Sequence, residues 1–155
     1  ARQAEGAKEV VLTGTQVGNY GRDLGLAQGL KDLLAALLAE STIPRLRLSS
    51  LQAQDISEDL LRLWQNRRLC RHFHLPLQSG SDRILAAMRR RYTVDQFRRA
   101  VALIRREVPD VAITTDVIVG FPGEGDEDFQ RTHSLCQELA FAAIHVFPYS
   151  RRPGT

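Results

Sequence analysis

Apolar and polar residues alternate in several short segments of the chain, a two-residue period that is typical of β-strands. In the segment 72–78 (HFHLPLQ), Phe73, Leu75 and Leu77 alternate with two histidines, a proline and a glutamine. One face of this strand can pack on helices, whereas the other carries polar groups that need polar partners or a ligand. By the same criteria the sequence predicts five strands, at 9–14, 45–50, 72–78, 111–120 and 143–147.

The segments between these strands have the 3.6-residue apolar period of helices, for example the leucines within 26–39. Ser57 and Ser81 each precede a helical pattern and are predicted N-caps. Thr93 with Gln96 forms a T-x-x-Q capping box for the next helix. The last predicted helix, 124–140, begins with acidic residues, which suit the positive end of the helix dipole.

Strands that alternate with helices become parallel neighbours joined by right-handed crossovers. The pattern therefore predicts an α/β fold, either a partial (β/α) barrel or an open doubly wound sheet. Both folds bind ligands at the C-terminal ends of their strands. In this sequence those ends are rich in glycine and polar residues, at 13–14, 49–50, 78–80, 120–122 and 148–149. A ligand site is expected there.

The composition indicates one globular domain of residues 1–155, because a chain of this length buries a single core. The net charge of +3 is compatible with a nucleic-acid partner and equally with an ordinary solvated surface. No apolar run could span a bilayer and the first ten residues lack a signal-peptide pattern, so a cytoplasmic protein with no membrane partner is expected. Cys70 and Cys136 have no metal-ligand spacing and are interpreted as core residues in a reducing compartment.

Several polar residues on the predicted strands are candidates for a binding site. Gly14 lets backbone approach a ligand closely, or is a plain turn residue. Arg47 and Ser49 share a strand face, and Arg47 needs an anionic ligand or an internal partner such as Asp116. Asp116 lies among apolar neighbours, so Arg47 or a ligand hydroxyl is its expected partner. Gln78 suits a ribose or an amino-acid group.

The histidines give a weaker signal. His72 and His74 share a strand face at a spacing that two metal ligands can have, but no third ligand is evident in the sequence. Hydrogen-bonded interior histidines are therefore expected, and no metal ligand is predicted in this chain.

Four segments together closely resemble the radical S-adenosylmethionine (SAM) methylthiotransferases. They are LTGTQVGNYGRDL at 12–24, HLPLQSGSDRILAAMRRRYT at 74–93, DVIVGFPGE at 116–124 and HVFPYSRRPGT at 145–155. The resemblance covers essentially the whole chain. The GNYG turn and the FPYSRRPGT ending look most like the subgroup that acts on N6-threonylcarbamoyladenosine beside the tRNA anticodon.

The resemblance implies a partial (β/α)6 barrel in which this chain supplies the second to sixth strands. It also implies a SAM site. Thr13 and Gly14 would meet the amino-acid end of SAM, and Arg91 would pair with the SAM carboxylate, whereas Arg89 and Arg90 are interpreted as exposed helix charges. The adenine pocket would be formed by the segment that starts at Asp116 and by Phe147 and Tyr149, with Ile118, Val119 and Gly120 along the adenine.

Radical SAM enzymes hold a four-iron (4Fe-4S) cluster with three thiolates of a Cys-x3-Cys-x2-Cys loop. This sequence has no such loop. The resemblance therefore implies a piece of a longer protein, without the first strand, the N-terminal methylthiotransferase domain and the C-terminal RNA-binding domain. The isolated chain is expected to be inactive and to expose a sheet edge. The parent protein would be a monomer that acts on tRNA, and Arg151 and Arg152 contact tRNA phosphates or belong to a flexible basic terminus.

Other functions stay open from the sequence. Within the same family, the substrate could be a ribosomal protein or an isopentenyladenosine-type nucleoside. A different class is a non-catalytic α/β domain that binds a nucleotide or RNA. A TIM-barrel aldolase would want a lysine at a strand end, and Lys8 and Lys31 are not placed there.

Overall fold

Five parallel strands alternate with helices along the chain, in a computed structural model that describes residues 4–151. The strands are β1 (Glu9–Leu12), β2 (Arg45–Leu48), β3 (His72–His74), β4 (Ala112–Val119) and β5 (Ala143–Pro148). The helices are α1 (Gly29–Glu40), α2 (Glu58–Leu61), α3 (Asp82–Ala87), α4 (Val94–Glu107) and α5 (Asp126–Leu139). Short 3-10 turns lie at Val17–Asn19, Arg22–Leu24, Ala53–Asp55 and Arg62–Gln65.

The strands are arranged side by side in chain order. β1 pairs with β2, β3 with β4, and β4 with β5, all in parallel. Two isolated bridges connect the two groups of strands, one between Leu46 and Leu69 and one between Ser50 and His74. Sequential parallel order with helical crossovers is the arrangement of a (β/α) barrel, and the barrel is open rather than closed. The predicted α/β partial barrel is therefore confirmed.

The helix boundaries follow the local sequence signals. Thr93 and Gln96 form the expected capping box at the start of α4, and Ser57 accepts a hydrogen bond from the Leu60 N–H at the start of α2. Helix α4 presents Phe97 and Ile104 to the core, where both are almost fully buried, and such burial contributes about 2–3 kcal/mol for each side chain. Helix α5 carries three acidic residues in its first turn, as the sequence predicts.

Two predictions about local structure were wrong. The strand predicted over 72–78 ends at His74, and its pairing with β4 resumes only as an isolated bridge between Gln78 and Val117. Phe73, Leu75 and Leu77 are nevertheless buried, as the alternation indicated. Ser81 occupies the N-cap position of α3, but its hydroxyl does not cap the helix. It donates instead to the Asp128 carboxylate of α5, at 2.6 Å.

Both outer strands have a free edge within residues 4–151. β1 pairs only with β2, which confirms the expected exposed edge, and every residue of β5 is exposed. No helix in the described range is both long and apolar enough to cross a membrane.

Candidate functional site

A cleft of about 860 Å³ opens at the C-terminal ends of β4 and β5. Ile118 and Phe147 are register partners on the two strands, and both line the cleft. Tyr149 lies beyond β5 and contacts Phe121 edge to face, with ring centroids 5.3 Å apart. Gln78 and Asp116 supply polar groups to the same space. Apolar walls with a few polar groups are typical of a small-molecule site.

Gln78 adopts a strained backbone conformation at the edge of this cleft. Its φ is +67°, a left-handed value that costs a residue other than glycine about 1–2 kcal/mol. Two backbone hydrogen bonds to β4 fix this conformation. The Gln78 N–H donates to the Asp116 carbonyl (2.8 Å), and the Ile118 N–H donates to the Gln78 carbonyl (2.9 Å). No partner for its side-chain amide is found within residues 4–151, although the residue is only 8% exposed. The fold therefore presents this amide to the cleft.

The turn after Gln78 is clamped to helix α5. The Gly80 N–H donates to the Thr132 hydroxyl (2.8 Å), and the backbone of Thr132 approaches so closely that any side chain at Gly80 would collide with it. Asp128 accepts from Ser81 and from Arg83, and these bonds lower the pKa of its carboxyl to about 2. Asp128 and Thr132 are supporting residues that the sequence analysis missed, because nothing local to α5 marks polar residues at these positions as buried.

Asp116 is the acceptor at the end of a hydrogen-bond chain on the inner face of the sheet. His74 Nε2 and His145 Nδ1 each lie 3.1 Å from an Asp116 oxygen, so both must donate to the carboxylate. In a neutral His74 ring, Nδ1 accepts a hydrogen bond from the Thr114 hydroxyl (2.9 Å). The Thr114 oxygen then accepts a hydrogen bond from His72 Nε2 (3.2 Å). The network connects three histidines and Thr114 to Asp116, which also lines the cleft.

Two outcomes differ from the sequence analysis. Arg47 does not pair with Asp116, which uses His74 and His145 instead. The hydrogen-bonded histidines were expected, but the structure adds His145 to His74 and Asp116, and their ligand atoms lie within 4.8 Å of one another. That spacing would also suit a divalent metal, and the absence of metal ligands stays a prediction.

Arg47 pairs with Glu9 of β1 at 2.9 Å, and Glu9 also contacts Arg45 at 2.7 Å. The parallel register places Glu9 opposite Arg45, so this pairing follows from the topology. Arg47 Nε and Ser49 Oγ are buried without a hydrogen-bond partner in the described part of the chain. Two unpaired buried polar atoms on one strand face are the kind of site that a polar ligand satisfies.

Burial is the main cause that lowers the pKa of His72, and the nearby charge of Arg47 adds to it. The imidazole is therefore held neutral, consistent with its place in the hydrogen-bond chain. Tyr92 lies behind the same turn, where its hydroxyl donates to the carbonyls of Pro76 (2.9 Å) and Leu77 (3.0 Å). Burial raises the pKa of Tyr92 to about 12.

The remaining predicted site residues lie around this cleft rather than in it. Thr13 and Gly14 follow β1 and are exposed. Val119 packs against the hydrophobic core, so only its backbone can face a ligand, and Gly120 has a left-handed φ of +73°. Arg91 lines a neighbouring polar cavity. The structure thus brings together Gln78, Asp116, Ile118, Phe147 and Tyr149 in one space.

The residues present fit the SAM molecule that the resemblance implies. The apolar and aromatic walls suit a purine, and the amide of Gln78, the Asp116 carboxylate and the unpaired polar atoms of Arg47 and Ser49 suit its polar groups. The two cysteines do not fit an iron–sulfur cluster, because Cys70 is buried next to Arg45 and Cys136 lies on α5.

A family model described as the radical SAM superfamily matches residues 1–136. The threonylcarbamoyladenosine tRNA methylthiotransferase of Thermotoga maritima is 44% identical over 152 residues, which are 97% of this chain and 35% of that protein. The tRNA-2-methylthio-N(6)-dimethylallyladenosine synthase of Thermobifida fusca is 46% identical over 153 residues, 98% of this chain and 31% of that protein. The chain thus spans about a third of the length of these relatives, and the resemblance seen in the sequence is confirmed.

Two solved structures share the fold at 17% sequence identity. A radical SAM methyltransferase from Kitasatospora setae, solved with cobalamin and a [4Fe-4S] cluster, has a TM-score of 0.72 and matches 96% of this chain and 29% of its own. Coproporphyrinogen III oxidase from Escherichia coli has a TM-score of 0.71 and matches 94% of this chain and 32% of its own.

Proposed function

Because this chain belongs to the radical SAM superfamily, we propose that it forms the SAM-binding core of a tRNA methylthiotransferase. One observation carries the proposal. The strained Gln78 presents an unpaired amide beside Asp116, in a cleft with apolar walls at the C-terminal ends of the strands. Strain of this kind persists where the surrounding structure enforces it, and it concentrates at ligand sites.

Different residues of the cleft would contact different parts of SAM. Ile118, Phe147 and the backbone of 119–120 would lie against the adenine, with Tyr149 beside it. Asp116, in contact with His74 and His145, would accept from a ribose hydroxyl, and Gln78 would bind a further polar group. Thr13, Gly14 and Ser49 would meet the amino-acid end.

Arg47 and Arg91 would bind different groups of the cofactor. Arg47, already paired with Glu9, would orient polar groups of the cofactor through its free Nε. Arg91 would pair with the cofactor carboxylate. A 4Fe-4S cluster with SAM supplies the radical chemistry and the methyl group when both are bound. The cluster ligands are proposed to lie outside this chain, and the chain alone is proposed to be inactive.

The nucleoside substrate has two candidates. Threonylcarbamoyladenosine in tRNA is proposed first, because the GNYG turn at 18–21 and the ending at 147–155 resemble that subgroup. An isopentenyladenosine-type nucleoside is the second, because the Thermobifida fusca relative of that type is 46% identical to this chain, against 44% for the Thermotoga maritima relative of the first type. Superfamily membership supports either of these over a non-catalytic binding domain.

Anaerobic calorimetry with SAM tests the cofactor site. Gln78→Ala should weaken SAM binding at least tenfold, because it removes the amide that faces the cleft. Gln130→Ala is the matched control, since Gln130 is an exposed residue of α5. Equal affinities for the wild-type protein and Gln78→Ala would refute the assignment.

The substrate is tested by expressing the full-length protein that contains this chain in a bacterial strain whose tRNA lacks methylthio groups. Nucleoside mass spectrometry should then detect the methylthio derivative of threonylcarbamoyladenosine. Detection of only the isopentenyl derivative would select the second candidate, and detection of neither would contradict the tRNA proposal.

A further inference from the structure

A second, strongly basic cavity lies beside the cleft and has a volume of about 410 Å³. It is lined by Gln16, Asn19, Arg22, Gln52, Gln54, Asp55, Arg89, Arg90 and Arg91, and is called the arginine cavity below. Its walls come from the segments that follow β1 and β2 and from the end of α3. It therefore belongs to the ligand-binding end of the barrel.

The four arginines of this cavity differ from most others in the chain. In the described part of the chain, two other guanidinium groups, those of Arg68 and Arg105, donate to backbone carbonyls. Nine others pair with carboxylates: Arg45, Arg47, Arg62, Arg71, Arg83, Arg98, Arg99, Arg106 and Arg131. Within residues 4–151, the guanidinium groups of the arginine cavity's four have neither an acidic partner nor a hydrogen bond to the protein. All four arginines are exposed, so water and salt screen their mutual repulsion, and a bound anion would reduce it further.

The one acidic residue of the cavity is already engaged. Asp55 accepts a hydrogen bond from the Gln52 N–H at 3.0 Å, as part of a capping box. Its carboxyl group also lies against Gly18, where an added Cβ would be only 2.1 Å from it. Asp55 is thus fixed by the turn, and four arginines against one carboxylate leave the cavity with a net positive charge.

The backbone makes it possible for three consecutive arginines to share one cavity. On a continuing helix their side chains would be spread by about 100° per residue. The chain instead leaves α3 at Arg89, whose φ is +56°. The N–H groups of Arg89 and Arg90 bond back to the carbonyls of Ala86 and Leu85, both at 2.9 Å, and hold this exit. These two bonds and the left-handed residue form a Schellman motif, which ends the helix and turns the three arginines off its axis.

The arginine cavity adjoins the cleft, because Arg89 and Arg90 line both. Guanidinium groups bind phosphate oxygens in a two-pronged manner, and the side-chain amides of Gln16, Asn19 and Gln52 add hydrogen-bond donors. Four cations exceed what the single carboxylate of the cofactor requires. A polyanion whose successive phosphates are bound here would place an adjoining base over the cleft.

We propose that the arginine cavity binds backbone phosphates of the nucleic-acid substrate, and so positions the target base above the cofactor cleft. That the nucleic acid is tRNA rests on the proposed function. Phosphate contacts of this kind fix orientation and register and carry no sequence information themselves. They also make the affinity fall with salt, by a slope that decreases as contacts are removed.

The test is fluorescence anisotropy of the protein with a labelled tRNA anticodon stem-loop over a series of salt concentrations. Arg22→Gln and the double variant Arg22→Gln/Arg89→Gln should lower RNA affinity about threefold to tenfold for each arginine removed, and each removal should reduce the salt slope by about one. Arg62→Gln and Arg99→Gln are controls of equal charge change, since both arginines are exposed and paired with aspartates on their own helical turns. SAM affinity is measured on the same samples.

Three results would overturn the proposal and are distinguishable from one another. If the cavity variants bind RNA as the controls do, the assigned residues are wrong, while the proposed function stands. If Arg22→Gln lowers SAM affinity and leaves RNA affinity unchanged, the cavity serves the cofactor. If the wild-type protein binds SAM but not RNA, the tRNA substrate of the proposed function fails as well.

Discussion

Replacing Gly80 with alanine should loosen the turn that carries Gln78, because helix α5 packs directly on this glycine. An added Cβ would lie 2.5 Å from Thr132 Cα and 2.9 Å from the Arg131 carbonyl oxygen. Both atoms belong to the helix backbone, so no side-chain rotation relieves the clash. Restoring ordinary contact requires the turn and the helix to separate by about 1 Å.

The cost has two parts. Such a separation breaks the buried hydrogen bond from the Gly80 N–H to Thr132 Oγ1, now 2.8 Å long, and an unsatisfied buried donor costs about 1–3 kcal/mol. Forcing an extra methyl group into a packed contact costs a further 1–3 kcal/mol, about the range seen for overpacked cores. Together the substitution should cost about 2–6 kcal/mol, which is a large part of the stability of an ordinary domain.

Urea unfolding followed by far-ultraviolet circular dichroism measures this cost. With a typical slope for a domain of this size, the midpoint should fall by about 1–2 M. Gly14→Ala is the matched control, because its added Cβ would meet only Val17 Cγ2 at an ordinary 3.5 Å. If the two alanine variants unfold at the same urea concentration, the close approach of α5 to the turn does not exist as described and the reasoning is refuted.

Three further outcomes follow from the same region. Gln78→Gly should be more stable than Gln78→Ala by about 1 kcal/mol in urea unfolding, because glycine tolerates the left-handed φ, and an equal stability would exclude strain there. Tyr92→Phe should lose about 1–3 kcal/mol in the same assay, because it removes the donor to two carbonyls, and a neutral effect would contradict this role. The pKa of His72 is lower in the folded protein than its ordinary value of about 6.5 in the unfolded chain. As the pH falls below about 6.5, the unfolded chain therefore binds a proton at His72 more readily than the folded protein does. Stability should therefore decrease from pH 7 to pH 5, and His72→Gln should show a shallower decrease in unfolding midpoints; an unchanged pH profile would exclude His72 as a cause.

Local sequence patterns predicted most of the architecture. The two-residue and 3.6-residue periods located all five strands and the helices between them. This works because the direction in which successive side chains point is set by the local backbone conformation. The capping box at Thr93 and Gln96 fixed a helix start for the same reason. Alternation of strands and helices was sufficient to predict parallel pairing and a site at the C-terminal strand ends.

The pairing of polar side chains could not be read in this way. Arg47 was expected beside Asp116, but the register of β1 and β2 gives it Glu9, and the register of β4 and β5 gives Asp116 the imidazole of His145. Such partners are distant in sequence, and a shift of the register by one residue would exchange the faces on which they lie.

The sequence by itself determined the elements, their order and the family resemblance, all of which depend on residues close together along the chain. Only the tertiary structure decided that Gln78 is strained, that α5 clamps the turn at Gly80, and that four unpaired arginines surround one cavity. The reason is physical: strain, close backbone approach and unbalanced charge are properties of the space between segments. That space exists only once the strands have been placed in register and the helices packed against them.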